Sequence, residues 1–261
     1  MPEAYTVLGA GRWGGILAGI LEGMGRRVAV IGGIRRVDGE SIEDHADRLA
    51  GRIPEWATAI WIAVPPGPHS LDLARLALRT GRHVVLEKPW PGNLEESRAI
   101  EALANAQDRR IAVHHQFPLL SAIEAAADRL NHGRGHVFEA SFTLARASRN
   151  GIPPLPNLGS HLLAIRRRAF PESTLGPLSV GYQCGDARTV RIGPETIDFT
   201  RNDEPLIQRF IEHFEDPAGS VISPVEAAGI GAALRSLRRR PTDPSSPNVE
   251  VWTYVEGLEA R

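Results

Sequence analysis

Along the first 117 residues, short apolar runs alternate with stretches in which apolar side chains recur every three or four positions. The runs at 7–8, 28–31, 60–64, 83–86 and 111–113 are short and largely without polar alternation, the pattern of strands covered on both faces. Between the first two, Ile16, Leu17, Ile20, Leu21 and Met24 share one face of a helix predicted over 13–24. A second helix is predicted over 71–78, before Gly81, a suitable C-terminal cap. Strand and helix alternating in this way predict an α/β domain with a doubly wound parallel sheet.

The remainder has a different rhythm. A helix is predicted over 119–131, then a long alternating strand over 137–145, a proline-rich loop at 151–156 and a helix over 158–170. Further strands are expected at 178–183, 190–192 and 196–200, helices at 205–215 and 224–239, a turn-rich linker at 242–247 and a last strand at 249–255. This grouping predicts a smaller α+β domain with a mainly antiparallel open sheet. The expected division is 1–117 and 118–261.

Composition narrows the functional classes. Formal net charge is -1, with 14 basic and 14 acidic residues up to residue 117 and 16 against 17 after it, so neither half carries the basic footprint of a nucleic-acid or anionic-membrane partner. Cys184, the single cysteine, cannot form an intramolecular disulfide, and no Cys/His cluster suggests a metal. No signal-peptide pattern and no run of 18 apolar residues occurs, so a cytoplasmic, membrane-free protein is expected. Of the 30 Lys and Arg residues, 29 are arginine; the sole lysine is Lys88.

Gly9, Ala10, Gly11, Arg12, Trp13 and Gly14 form a G-x-G-x-x-G between a predicted strand and a predicted helix. In that context Gly9 permits a tight turn, Gly11 admits a pyrophosphate and Gly14 lets helix and strand pack closely, the signature of a Rossmann dinucleotide site. The free N–H groups of the helix, beginning near Arg12 and Trp13, would face the phosphates. After the second strand, where an NAD enzyme places an acid against the ribose 2′-hydroxyl, the chain reads Gly32, Gly33, Ile34, Arg35, Arg36. Two guanidinium groups suit a 2′-phosphate, which favours NADP(H) over NAD(H).

The fourth strand ends in Glu87, Lys88, Pro89 and Trp90, which places Lys88 at the carboxyl edge of the sheet, where α/β sheets bind ligands. An ammonium there can polarise a carbonyl or move a proton. In a chain that otherwise uses arginine, a retained lysine points to a compact charge that can be deprotonated.

Taken together, the Gly9 to Gly14 turn, the Ala63-Val64-Pro65-Pro66-Gly67-Pro68-His69 loop and the Glu87-Lys88-Pro89 motif resemble the glucose-fructose oxidoreductase and inositol dehydrogenase family, Gfo/Idh/MocA. The resemblance implies a Rossmann domain followed by an α/β domain whose open sheet often mediates oligomerisation, so a homo-oligomer is among the expectations. It implies hydride exchange between NAD(P) and a sugar, cyclitol or related small molecule, a catalytic Lys88, and Pro65, His69 and Glu87 beside the cofactor. In the second domain, Asn157-Leu158-Gly159-Ser160-His161 resembles the family's D-x-G-x-H segment, which makes His161 a catalytic histidine with Asn157 in the aspartate's place. Ala164 stands where many members carry a second aspartate, and the second domain is shortened between Phe170 and Asp203. Gln116-Phe117-Pro118 resembles the junction segment, which implies that Phe117 borders the substrate pocket; His114 and His115 end the fifth strand, where either could contact the ligand, with His115 and Trp90 taken as substrate residues.

The expected function is therefore NADP(H)-dependent oxidoreduction at a carbonyl or alcohol carbon of a sugar-like or small polar metabolite, in the reductive direction. Two alternatives remain. One is reduction of a C=N bond, as in the thiazolinyl imine reductases; the other is a nucleotide-sensing protein that has lost catalysis.

Overall fold

Each apolar run of the first half is a strand, and a helix follows each of the first four. In the computed structural model, which describes residues 3–35, 37, 39–148, 151–240 and 247–254 apart from the side chains of residues 42, 43 and 46, these elements are β1 (Ala4–Leu8), α1 (Arg12–Gly23), β2 (Arg27–Ile31), α2 (Ile42–Ala50), β3 (Ala59–Ile62), α3 (Pro68–Arg79), β4 (His83–Glu87), α4 (Leu94–Ala106) and β5 (Ile111–His114). The strands form a parallel sheet in the order β2-β1-β3-β4-β5. All four residues of β3 are buried, as expected of a strand covered on both faces. Two helices that the hydrophobic pattern did not single out have clear starts. The Ser41 hydroxyl accepts from the Asp44 N–H at the head of α2, and Asn93 and Glu96 form a reciprocal capping box at the head of α4.

The chain then builds α5 (Ser121–Arg129), β6 (Val137–Leu144), a wide helical turn (Leu155–Gly159) running into α6 (Ser160–Ala169), β7 (Thr174–Tyr182), β8 (Ala187–Ile192), β9 (Glu195–Asp198), α7 (Leu206–Glu215), α8 (Pro224–Ser236), β10 (Leu237–Arg239) and β11 (Val249–Tyr254). The second sheet runs β10-β11-β7-β6-β8-β9, and every neighbouring pair is antiparallel except β6 and β7. That exception follows from the crossover through α6 between them. Phe138, Ala140, Phe142 and Leu144 alternate along β6 into a core shared with Leu178, Val180, Val190 and Ile192. On the other face of β6, Glu139 pairs with Arg191.

Several boundaries differ from the sequence expectation. Pro118 sits in a one-turn 3₁₀ segment, Phe117–Leu119, so α5 starts only at Ser121. The helix expected over 224–239 stops at Ser236, because Leu237, Arg238 and Arg239 find a backbone ladder on β11. Leu155 and Pro156, expected in a loop, already belong to the helical turn before α6. Most of the expected linker 242–247, and Val255, lie outside the described residues.

The chain divides into two units: Met1–His114 with Ile207–Ala228, and His115–Leu206 with Gly229–Arg261. The first unit thus takes in residues 207–228, which the simple division at 117 assigned to the second. The physical reason is α7. Phe210, Ile211 and Phe214 are each 1% exposed, and the Phe210 ring lies 5.7 Å from Trp61 and 4.7 Å from His114. At the end of α7, Glu215 accepts from the Tyr5 hydroxyl at 3.0 Å and from Arg26 at 2.8 and 2.6 Å. Beyond it, Arg110 donates to the Asp216 and Gly219 carbonyls, and the Val113 N–H to the Ile222 carbonyl at 2.8 Å. The last contact covers backbone at the edge strand β5, which would otherwise offer a template for foreign strands.

Truncating Phe210 removes an aromatic ring that packs against both Trp61 and His114. Phe210→Ala is expected to lower the free energy of unfolding by about 3–5 kcal/mol, read as a lower urea midpoint by tryptophan fluorescence. A loss below ~1 kcal/mol would show that α7 contributes little to the first unit's core.

Candidate functional site

In the first unit, the glycine-rich turn lies where the strand order reverses, between the carboxyl ends of β1 and β3. Gly9 has φ of +124°, and a Cβ there would stand 2.7 Å from the Ala63 carbonyl oxygen at the end of β3. A Cβ on Gly14 would come within 1.8 Å of the Gly9 carbonyl oxygen, so only glycine lets α1 start so close to β1. By contrast, nothing lies within 4 Å of a Cβ placed on Gly11, and Gly11 and Arg12 are exposed. No side chain caps α1 and no acid occupies its first turn, which leaves its N–H groups and positive dipole end for an anion. The residues present fit the pyrophosphate of a dinucleotide.

The loop after β2 contains no carboxylate from Gly32 to Arg35. Arg35 is exposed, and Arg36 lies outside the described residues. Glu40, the first described acid downstream, is committed to its own loop. It accepts from Arg48 at 2.7 Å, from the Val37 N–H at 2.9 Å, and pairs with His45 Nδ1 at 3.1 Å. The Arg48 guanidinium first, then the Val37 N–H and His45, hold its carboxyl down to about 2. The His45 ring packs 5.4 Å from His69 on the first turn of α3, and Pro65 is exposed in the loop leading to it. Arg48 also donates to the Arg35 carbonyl at 3.1 Å, and Arg52 to the Gly32 carbonyl at 2.7 Å.

At the end of β4, Glu87 and Lys88 point to different tasks. Parallel register sets Glu87 beside His114 on β5. The Glu87 carboxylate is turned inward, accepting from Trp61 Nε1 at 3.0 Å and pairing with His114 Nδ1 at 3.0 Å. Burial opposes its ionisation, but the charge of His114 and these hydrogen bonds outweigh it and hold its pKa below the ordinary value. Trp13 of the glycine-rich turn stacks on the His114 ring at 6.2 Å with 19° between planes, so the phosphate turn rests on this network. His114 Nε2 has no hydrogen-bond partner among the described residues. Lys88, next in the chain, is pushed down to about 8 because burial penalises its charge more than Glu87 supports it. The Lys88–Pro89 bond is cis, and Trp90 is buried against Gly92.

In the second unit, His161 is 5% exposed inside an aromatic box. Its ring lies 4.8 Å from Phe117, 5.7 Å from Phe142 and 5.5 Å from His115. Asn157 is not the helix cap that its residue type suggests: it sits inside the turn Leu155–Gly159, and its side-chain amide donates to the Tyr182 hydroxyl on β7. His161 accordingly follows a full helical turn rather than opening the helix.

Within the first unit the structure brings together Gly9 to Gly14, Trp13 and Glu87; within the second it brings together His115, Phe117 and His161. Sequence reasoning missed Trp61, the Glu87–His114 pair, Arg52 and Tyr182. Of these the Glu87–His114 pair had a signal, since aligning the ends of two neighbouring parallel strands sets them side by side.

Residues 17–115 match the model of the family described as "Oxidoreductase family, NAD-binding Rossmann fold". An uncharacterized oxidoreductase of Schizosaccharomyces pombe is 28% identical over 137 residues, 47% of this chain and 37% of that protein, so the match spans little more than a third of the relative's length. Among solved structures, the WlbA (WbpB) dehydrogenase of Thermus thermophilus, in complex with NAD and alpha-ketoglutarate, superposes with a TM-score of 0.68 at 18% identity, covering 93% of this chain and 97% of that one. The UDP-N-acetylglucosamine 3-dehydrogenase GnnA of Acidithiobacillus ferrooxidans gives 0.70 at 18% identity over 89% and 95%. A mutant of KijD10, a 3-ketoreductase of Actinomadura kijaniata in complex with TDP-benzene and NADP, gives 0.57 at 16% identity over 89% and 96%. At these identities the likeness is one of fold. No described helix is long and apolar enough to cross a membrane.

A sole lysine can be watched directly. With ¹⁵N-labelled lysine the protein should give one side-chain Nζ signal, protonated below and neutral above a midpoint near about 8 instead of the ordinary 10.5. A midpoint above ~10 would place the ammonium in water and remove its special environment.

Proposed function

We propose that the chain, which matches the Gfo/Idh/MocA oxidoreductase model through residues 17–115, is an NADP(H)-dependent enzyme that reduces a carbonyl carbon of a sugar-like substrate, with a nucleotide-linked sugar the leading class. The observation that carries this reading is Lys88, the sole lysine, held at the carboxyl edge of β4 with its pKa pushed down to about 8. The fold likeness to GnnA, a UDP-N-acetylglucosamine 3-dehydrogenase, and to the 3-ketoreductase KijD10 supports the substrate class.

When bound, the nicotinamide supplies the hydride. The chain's own residues do the rest. The open side of Gly11 and the N–H groups at the head of α1 hold the pyrophosphate, with Arg12 at the rim. Arg35 and Arg36 take the 2′-phosphate, a role supported by the absence of an acid from Gly32 to Arg35 and by the engagement of Glu40 with Arg48. Pro65 and His69 border the cofactor from the next loop. Lys88, protonated near neutral pH, stabilises the oxygen of the reacting carbonyl and gives it a proton as the alcohol forms. Glu87 serves from within: its inward carboxylate keeps Trp61 and His114 in place beneath Trp13. Within the second unit, His161 and Asn157, with His115 and Phe117, are assigned to orienting the substrate, and Trp90 of the first unit to its binding.

Two measurements test the reading. Wild-type protein should bind NADPH at least ~10-fold more tightly than NADH, the size expected of one charge-assisted phosphate contact. With a panel of keto-sugar nucleotides, reductive turnover followed by NADPH absorbance should fall as pH rises through about 8, because Lys88 then loses the proton it must give. Lys88→Ala should cut turnover ~100-fold with NADPH affinity nearly unchanged, and Lys88→Arg should not restore it. Normal turnover in Lys88→Ala would overturn the assignment, and binding without turnover on any substrate would favour a nucleotide sensor.

A further inference from the structure

A second cation is fixed at the tip of β2, on a residue that no motif marks. Arg52 follows α2, and its guanidinium donates to the Gly32 carbonyl at 2.7 Å and the Gly33 carbonyl at 3.3 Å. Those carbonyls adjoin the phosphate turn. A Cβ on Gly32 would lie 2.9 Å from the Ala10 Cβ, and the Gly9 N–H donates to the Ile31 carbonyl at 2.9 Å. The guanidinium is exposed, and among the described residues no acid pairs with it. Two of its five N–H groups serve the carbonyls, which leaves three for a ligand. Carbonyl oxygens orient the group without neutralising it, so its charge remains available in a plane already set.

The other described cations of this loop are placed differently. Arg48 is committed to Glu40 and reaches the loop only through the Arg35 carbonyl. Arg35 itself stands in the loop beyond the strand tip. Among the described residues, Arg52 is the cation anchored where an acid would otherwise meet the ribose 2′-hydroxyl.

We propose that Arg52 is a cofactor-selecting residue that grips the 2′-phosphate of NADP(H) at the end of β2. This rests on the NADP(H) reading above. It also explains how the glycine pair at 32 and 33 contributes: with no side chains of their own, these residues present bare carbonyls on which a guanidinium from the far end of α2 can be mounted.

The test is a fluorescence titration of the full chain with NADPH and with NADH, repeated for Arg52→Ala and Arg52→Lys, with 2′,5′-ADP and 5′-ADP as fragments lacking the nicotinamide. Arg52→Ala should weaken NADPH and 2′,5′-ADP by ~10-fold or more, while NADH and 5′-ADP change less than about twofold. Arg52→Lys, which keeps the charge and one carbonyl bond, should lose affinity to a lesser degree and again only for the phosphorylated ligands. It also guards against a folding defect in the alanine variant. Equal weakening of all four ligands would mean that Arg52 only braces the loop, and an unchanged NADPH affinity would leave the phosphate to Arg35 and Arg36; either result overturns the proposal. If the wild-type protein itself binds NADPH no better than NADH, the NADP(H) reading falls and the role of Arg52 falls with it, an outcome visible before any variant is made.

Discussion

A carboxylate buried beneath the cofactor edge has to be satisfied, and the arrangement of the first unit turns on how Glu87 is. An ionised acid in the interior is costly unless charge and hydrogen bonds meet it. Here Trp61 comes from β3 and His114 from β5, so the single residue at the end of β4 ties three adjacent strand ends together. Trp13 rests on the His114 ring and Phe210 closes its edge, which joins the phosphate turn and α7 to the same network. Lys88 begins where that network ends. Its backbone follows directly on a neighbour whose side chain points inward. An apolar residue in place of Glu87 would leave the Trp61 N–H and the His114 ring without their shared acceptor, so the motif's acid is explained by what lies under the site as much as by what lies in it.

The same economy governs the edge of the first sheet. The backbone at β5 is met by Ile222, and the amphipathic face of α7 supplies the apolar cover that the preceding 114 residues lack. Arg26, Tyr5 and Glu215 lock its end. Burial first, and then the adjacent Glu215 carboxylate, raise the Tyr5 hydroxyl above its ordinary pKa. The phenol therefore stays protonated, a donor to Glu215, near neutral pH.

What the sequence made legible was local. The five apolar runs, the glycine pattern and the exceptional lysine each carry their meaning within a few residues, and the parallel sheet and its switch point follow from them. What it hid was set by partners far along the chain. The helical periodicity of 205–215 identifies α7 but says nothing of which core receives it; that depends on Tyr5, Arg26 and Trp61, some 150 to 210 positions away. Leu237, Arg238 and Arg239 read as helix because their strand partner, β11, lies beyond a turn-rich stretch. Asn157 suits a helix cap by residue type, yet the wide turn before α6 draws its amide to Tyr182 instead. Arg52 is one arginine among 29, and only its pose on two carbonyls distinguishes it.

The return of residues 207–228 to the first unit also orders events during synthesis. Phe210 and Glu215 reach the solvent only after the 92 residues of His115–Leu206 have been translated. At about 5–20 residues per second, that is a wait on the order of five to twenty seconds during which the nascent sheet stands with one edge and part of its core uncovered. Emerging second-unit strands are then the nearest material able to pair with the bare β5. The first unit therefore depends on a late segment to close its edge, and the second sheet in turn is complete only when β11 follows at the very end of the described chain.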